Sequence, residues 1–174
     1  VIEIPSDLEP ALVPLAFLLG AWEGAGVHEF PGSEKCNFGQ EIHFTHDSRD
    51  VLQYVSRTWV LDGDGALVRP LETESGFWRI DEDRKVEAVM VRDDGVAEVW
   101  YGELADKKPQ IDLVTDTVAR TAMSAPYTGG KRLYGLVGGD LMWVGEKQTP
   151  EVELKPYMSA QLKRVVAAQE PATP

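Results

Sequence analysis

With 174 residues, the chain has the size of one domain with its own hydrophobic core. Seventeen basic against twenty-nine acidic residues leave a net charge of -12, which repels phosphate backbones and anionic bilayers; neither nucleic acid nor membrane is an expected partner. Cys36 is the only cysteine, so an internal disulfide and a cysteine-based zinc cluster are excluded, and a reducing, cytoplasmic setting is expected.

Residues 1–19 read as an N-terminal helical cap. Ser6 and Asp7 are candidate N-caps, Pro10 and Pro14 restrict the turns to short pieces, and Phe17, Leu18 and Leu19 supply an apolar plug. The apolar run Ala11 to Leu19 is too short for a bilayer span, which takes about 20 residues, and no basic region marks a signal peptide. Gly20 ends the helix, and from Trp22 the period changes. Candidate strands are Phe38 to His46, Val51 to Leu61, Gly76 to Ile80, Val86 to Val91 and Val96 to Leu104. Ile111 to Thr115, Leu133 to Val137, Leu141 to Glu146 and Met158 to Val166 complete the set. Gly/Asp clusters at Asp62–Gly65, Asp81–Asp83, Asp93–Gly95 and Gly138–Asp140 supply tight hairpin turns.

About ten strands at hairpin spacing, with no helix between them, predict an all-β fold. Closing such an antiparallel up-and-down meander into a barrel over 20–166 removes its exposed edges. Val118 to Gly130 reads as a loop, with Tyr127 over a barrel opening, and 167–174 as a disordered polar tail.

Gly20-Ala21-Trp22-Glu23-Gly24-Ala25-Gly26 resembles the G-x-W-x-G-x-G motif that opens nitrobindins, heme-holding β-barrels similar in architecture to fatty-acid-binding proteins. Glu41 to His46, Leu71 to Arg79, and Arg132–Tyr134 followed by Gly139-Asp140-Leu141 are similar to further family segments, in the family's order. The resemblance runs from about Leu12 to Arg164, and within the family the chain resembles the actinobacterial ferric nitrobindin-like proteins. It implies heme b held by an axial histidine of the last strand, peroxynitrite isomerisation, and a homodimer. Tyr157 stands at that histidine's position. Two further departures lie beside the heme position: His28, where the motif continues with glycine, and the turn Phe30-Pro31-Gly32-Ser33.

Read from the residues, Trp22 plugs one barrel end while Gly24 and Gly26 allow strand curvature. Tyr157 has two readings: a phenolate ligand for ferric iron, or a space-filling aromatic at the barrel mouth. If Met158, Ala160 and Leu162 face inward, alternation turns Tyr157 outward unless the strand begins just after Pro156. His28 lies beside the expected pocket, whereas His43 and His46 point to opposite faces and share no metal. Asp62 to Gly65 lacks the ligand pattern of a calcium loop, Ser48, Ser56 and Ser75 have no activating partner, and Glu72 and Glu74 read as a solvated face.

The leading expectation is a nitrobindin-like barrel without heme ligation, with no catalytic residue and no metal, binding another small apolar molecule. The alternatives are a ferric-heme peroxynitrite isomerase with Tyr157 as axial ligand, and a packed barrel that acts through a protein partner.

Overall fold

A computed structural model of the protein describes residues 4–165. Ten strands run antiparallel in chain order: β1 (Gly20–His28), β2 (Cys36–Thr45), β3 (Leu52–Leu61), β4 (Leu67–Ile80) and β5 (Lys85–Arg92). β6 (Val96–Leu104), β7 (Gln110–Arg120), β8 (Gly129–Val137), β9 (Asp140–Gln148) and β10 (Lys155–Val165) follow. Each pairs with its neighbours in sequence, and β1 pairs with β10, so the sheet closes and no edge strand remains. The expected all-β barrel is the observed one.

Period-two alternation produces the barrel wall. In β5, Val86, Ala88 and Met90 are buried while Lys85, Glu87 and Val89 face out. Several strands are longer than their sequence suggests, β4, β7 and β8 most of all. β4 reaches back to Leu67, through Pro70, because register shifts at Thr58/Trp59 and Val60/Leu61 let β3 pair around the proline. β7 continues to Arg120 past a shift at Val99/Trp100, and β8 begins at Gly129, which narrows the expected loop to 121–128.

Before β1 lies a 3₁₀ helix, Pro10–Leu18. Prolines at 10 and 14 lack the N–H that a longer α-helix would use, so the tighter, shorter form results. Ser6 and Asp7 do not cap it: Glu9 holds the cap position and makes no side-chain cap bond. Leu12, Leu15 and Leu18 are fully buried and join the barrel core. Trp22 Nε1 donates to the Leu18 carbonyl at 2.8 Å, and the Arg164 guanidinium stacks 4.1 Å above the Trp22 ring while donating to the Phe17 and Leu19 carbonyls. The 3₁₀ segment thereby closes the barrel end formed by the start of β1 and the end of β10. None of the described helices is long and apolar enough to cross a membrane. The expected tail at 167–174, and Val166 at the end of the last expected strand, lie outside the described residues.

At Gly24 and Gly26, β1 presses against β10. A Cβ at Gly24 would run into the Gln161 carbonyl, and one at Gly26 into the Ser159 carbonyl and the Phe38 ring. Gly26→Ala is therefore expected to cost about 1–3 kcal/mol in a urea melt. Gly63→Ala, in an open turn with no neighbour in reach, stays within about 0.5 kcal/mol of the wild type.

Candidate functional site at the charged barrel mouth

The lumen changes character along its axis. Near the 3₁₀ segment the inward side chains are Trp22, Ile42, Phe44, Leu52, Leu141 and Leu162, all fully buried or nearly so. Midway, Trp143 Nε1 donates to Gln40 Oε1 at 2.8 Å, and Gln40 Nε2 donates to Ser56 Oγ at 2.9 Å. Toward the opposite mouth the inward positions carry charge: Glu72 and Glu74 from β4, Arg92 from β5, Glu98 from β6, Arg132 from β8 and Lys147 from β9.

Arg132 and Glu74 form a bidentate pair, with N–O distances of 2.6 and 2.7 Å, and both side chains are 3% exposed. Arg132 also donates to Tyr134 Oη at 3.1 Å and lies 4.9 Å above the Trp100 ring. Burial pushes the Glu74 carboxyl up, but the Arg132 guanidinium, through charge and hydrogen bond together, holds it below the usual carboxylate range. A second group closes the mouth. Tyr127, from the 121–128 loop, donates its hydroxyl to Glu98, and the Arg92 guanidinium sits 4.5 Å above the Tyr127 ring and 3.4 Å from Glu98. Tyr127 therefore covers the opening as its sequence context suggests. Burial raises the Glu98 carboxyl, against the pull of Arg132 and Arg92.

Tyr157 is brought in by a bulge. The β10–β9 register shifts between Pro156 and Met158, leaving Tyr157 as the extra residue. Tyr157 and Met158 are consequently both buried, and strict alternation fails there. The expectation that Tyr157 turns outward unless the strand starts after Pro156 is corrected: the strand starts at Lys155, and the bulge does the turning. Gly145 opposite leaves room for the phenol, since a Cβ there would meet the rings of Tyr157 and Trp143. His28 meets the Tyr157 ring edge-on, with centroids 6.2 Å apart. Its Nδ1 is buried without a partner, and burial, then Lys147, lowers its pKa. Lys147 Nζ lies 4.3 Å from the Phe30 ring centroid and 5.0 Å from that of Tyr157.

Tyr157 and His28, singled out in sequence, thus come together at one mouth. Gly20 and Trp22 lie at the opposite end, with Gly24 and Gly26 in the wall between. His43 is on the outer face of β2, and His46, beyond the strand, approaches Asp7 at 4.0 Å. No cluster of three metal-ligating side chains occurs among the described residues. The acid–base set was missed because Glu72 and Glu74 read as a solvated face. A signal was present, since both share the parity of Trp78, whose inward sense would have placed them inside.

Glu72 is half-buried and its carboxyl makes no hydrogen bond among the described residues; burial pushes that carboxyl up to about 7, with Arg92 opposing. For an acid whose pKa is raised on folding, the contribution is fully present below the unfolded value of 4.5 and is lost as pH rises through the folded value of about 7. Partial exposure limits the effect to about 1–3 kcal/mol. In urea melts at pH 5 and pH 8, the wild type should lose that amount relative to Glu72→Gln as pH rises. Equal pH dependence of the two proteins would contradict the buried placement.

Comparison with known proteins places this geometry in context. Residues 11–164 match the family description "THAP4-like, heme-binding beta-barrel domain". The chain is 78% identical over 169 residues to the ferric nitrobindin-like protein of Streptomyces avermitilis, covering 97% of this chain and 88% of that one. It is 43% identical over 162 residues to the peroxynitrite isomerase of Nocardioides sp., covering 93% and 98%. The crystal structure of Rv2717c from M. tuberculosis superposes with a TM-score of 0.82 at 26% identity, over 91% of this chain and 99% of that one. On its fold, its opening motif and these matches, the chain belongs to the nitrobindin family of THAP4-like heme-binding β-barrels.

Proposed function

We propose that this barrel has lost iron ligation and takes a small, mainly apolar molecule other than heme at the mouth beside Tyr157. The observation that carries the reading is the packing there, Lys147 on the rings of Phe30 and Tyr157. The phenol of Tyr157 is the side chain at the family's axial position, and burial pushes its pKa well above the ordinary tyrosine value, with Arg132 opposing and Glu72 adding to the rise. Such a phenol would give up its proton only to the charge of the iron itself, so the side chains packed around it weigh more than the donor alone. A porphyrin entering beside it would meet Lys147 stacked on Phe30 and Tyr157, and beyond that the Arg92–Glu98–Tyr127 group. Disrupting a buried ion pair typically costs about 3–5 kcal/mol. The residues present therefore fit heme poorly, and no chemical step is assigned to it.

The name of the Nocardioides relative favours a second reading, in which Tyr157 ligates ferric heme and the protein isomerises peroxynitrite. Absorbance-monitored hemin titration separates the two. The proposal expects no stoichiometric Soret band for the wild type, and a gain of binding for Tyr157→His. Stoichiometric binding by the wild type that is lost in Tyr157→Phe would overturn the proposal in favour of the second reading.

A further inference from the structure

Lys147 stands apart from the other cations of the mouth. Arg132 is paired with Glu74, and Arg92 with Glu98 and Asp94, whereas Lys147 makes no ion pair or side-chain hydrogen bond among the described residues. It is placed inward by β9, in the column Leu141, Trp143, Gly145, Lys147, and is half-buried rather than solvated. Its neighbours are the faces of Phe30 and Tyr157, which fix the position of the amine and offer an apolar wall. A carboxyl group, Glu72, belongs to the same mouth and acts on Lys147 electrostatically.

This arrangement has the parts that imine chemistry needs: an amine with restricted hydration, held in place, and an apolar wall beside it for the body of the aldehyde. The geometry points to Lys147 as a covalent capture site for aldehydes with an aliphatic or aromatic body, forming a reversible imine at the barrel mouth. The inference rests on the mouth being a small-molecule site, and it adds the ligand's reactive group. The neutral Nζ attacks the aldehyde carbon, forming a C–N bond while the carbonyl π-pair moves to oxygen. Proton transfer from nitrogen to oxygen gives the neutral carbinolamine. Protonation of its hydroxyl by solvent lets water leave as the nitrogen lone pair forms the C=N bond, and solvent takes back the nitrogen proton. The sum is aldehyde plus amine to imine plus water, with no oxidant or reductant consumed. Burial, followed by the charge of Arg92, lowers the Lys147 pKa and so raises the fraction of free amine, against the pull of Glu72.

Cinnamaldehyde and octanal serve as probes, with sodium cyanoborohydride to trap the imine as a stable secondary amine and peptide mapping to locate it. At limiting aldehyde, Lys147 should be modified about tenfold faster than exposed lysines such as Lys107, Lys108, Lys131 and Lys155. That preference should vanish when the protein is unfolded in urea before labelling. Labelling spread over the exposed lysines with Lys147 spared or merely average would overturn the assignment, whatever the hemin titration shows. Conversely, stoichiometric hemin binding with Lys147 still selectively trapped would overturn the heme-free reading and leave the reactive lysine standing. Because the site map is read on the wild type, the outcome does not depend on how any Lys147 variant folds.

Discussion

The bidentate contact between Arg132 and Glu74 is the constraint on which the mouth-side half of this barrel depends. Each charge alone would be strongly destabilising in a lumen walled by Trp100, Tyr134 and Trp143, so each requires the other. β4 and β8 are not adjacent in the sheet, and the pair therefore spans the lumen rather than decorating its wall. Its guanidinium in turn supports the Trp100 ring and the Tyr134 hydroxyl. Around it the remaining acids and bases are graded by their access to a partner. Glu74 is fully matched and held ionised, Glu98 shares Arg92 with Asp94 and accepts from Tyr127, and Glu72 has no direct partner and titrates near 7.

A barrel of this kind commonly fills or lines its lumen with apolar side chains, and the end next to the 3₁₀ segment does so. The opposite end does not. Its polarity has two consequences for a ligand. A flat apolar group finds the space beside Tyr157 shared with an ammonium and several carboxyls, while a molecule bearing a single polar function finds complementary atoms next to the aromatic wall of Phe30 and Tyr157. Family membership fixes the scaffold, and the side chains at the mouth fix what the scaffold can hold.

The fold was legible in the sequence because its signals are local. Alternation in β5 and β6, the Gly/Asp turns and the order of family segments all point to the same closed meander. The elements that escaped have physical reasons. Pro70 hid the first half of β4, since a proline inside a strand is tolerated only with the register shifts that the sequence does not display. The bulge at Tyr157 broke the parity on which its orientation was argued. The charged mouth was illegible for a related reason: whether Glu72 and Glu74 face water or the lumen is decided by the register of the whole strand. The cations that act on them, Arg92 and Arg132, lie 18–60 residues away in the chain. Tyr157 and His28 were singled out because the family motif, not local chemistry, marks their positions.

The proposed loss of heme rests on Lys147, stacked on Phe30 and Tyr157, and on the Arg92–Glu98–Tyr127 group beyond it, since Arg132 and Glu74 belong to segments shared with the heme-holding family. Crystallising the protein after incubation with a twofold excess of hemin tests it most directly. The account predicts a hemin-free structure in which Lys147 remains stacked on Phe30 and Tyr157 and Arg92 remains on Glu98 and the Tyr127 ring. A porphyrin in the lumen with the Tyr157 oxygen on its iron, and those contacts displaced, would contradict it.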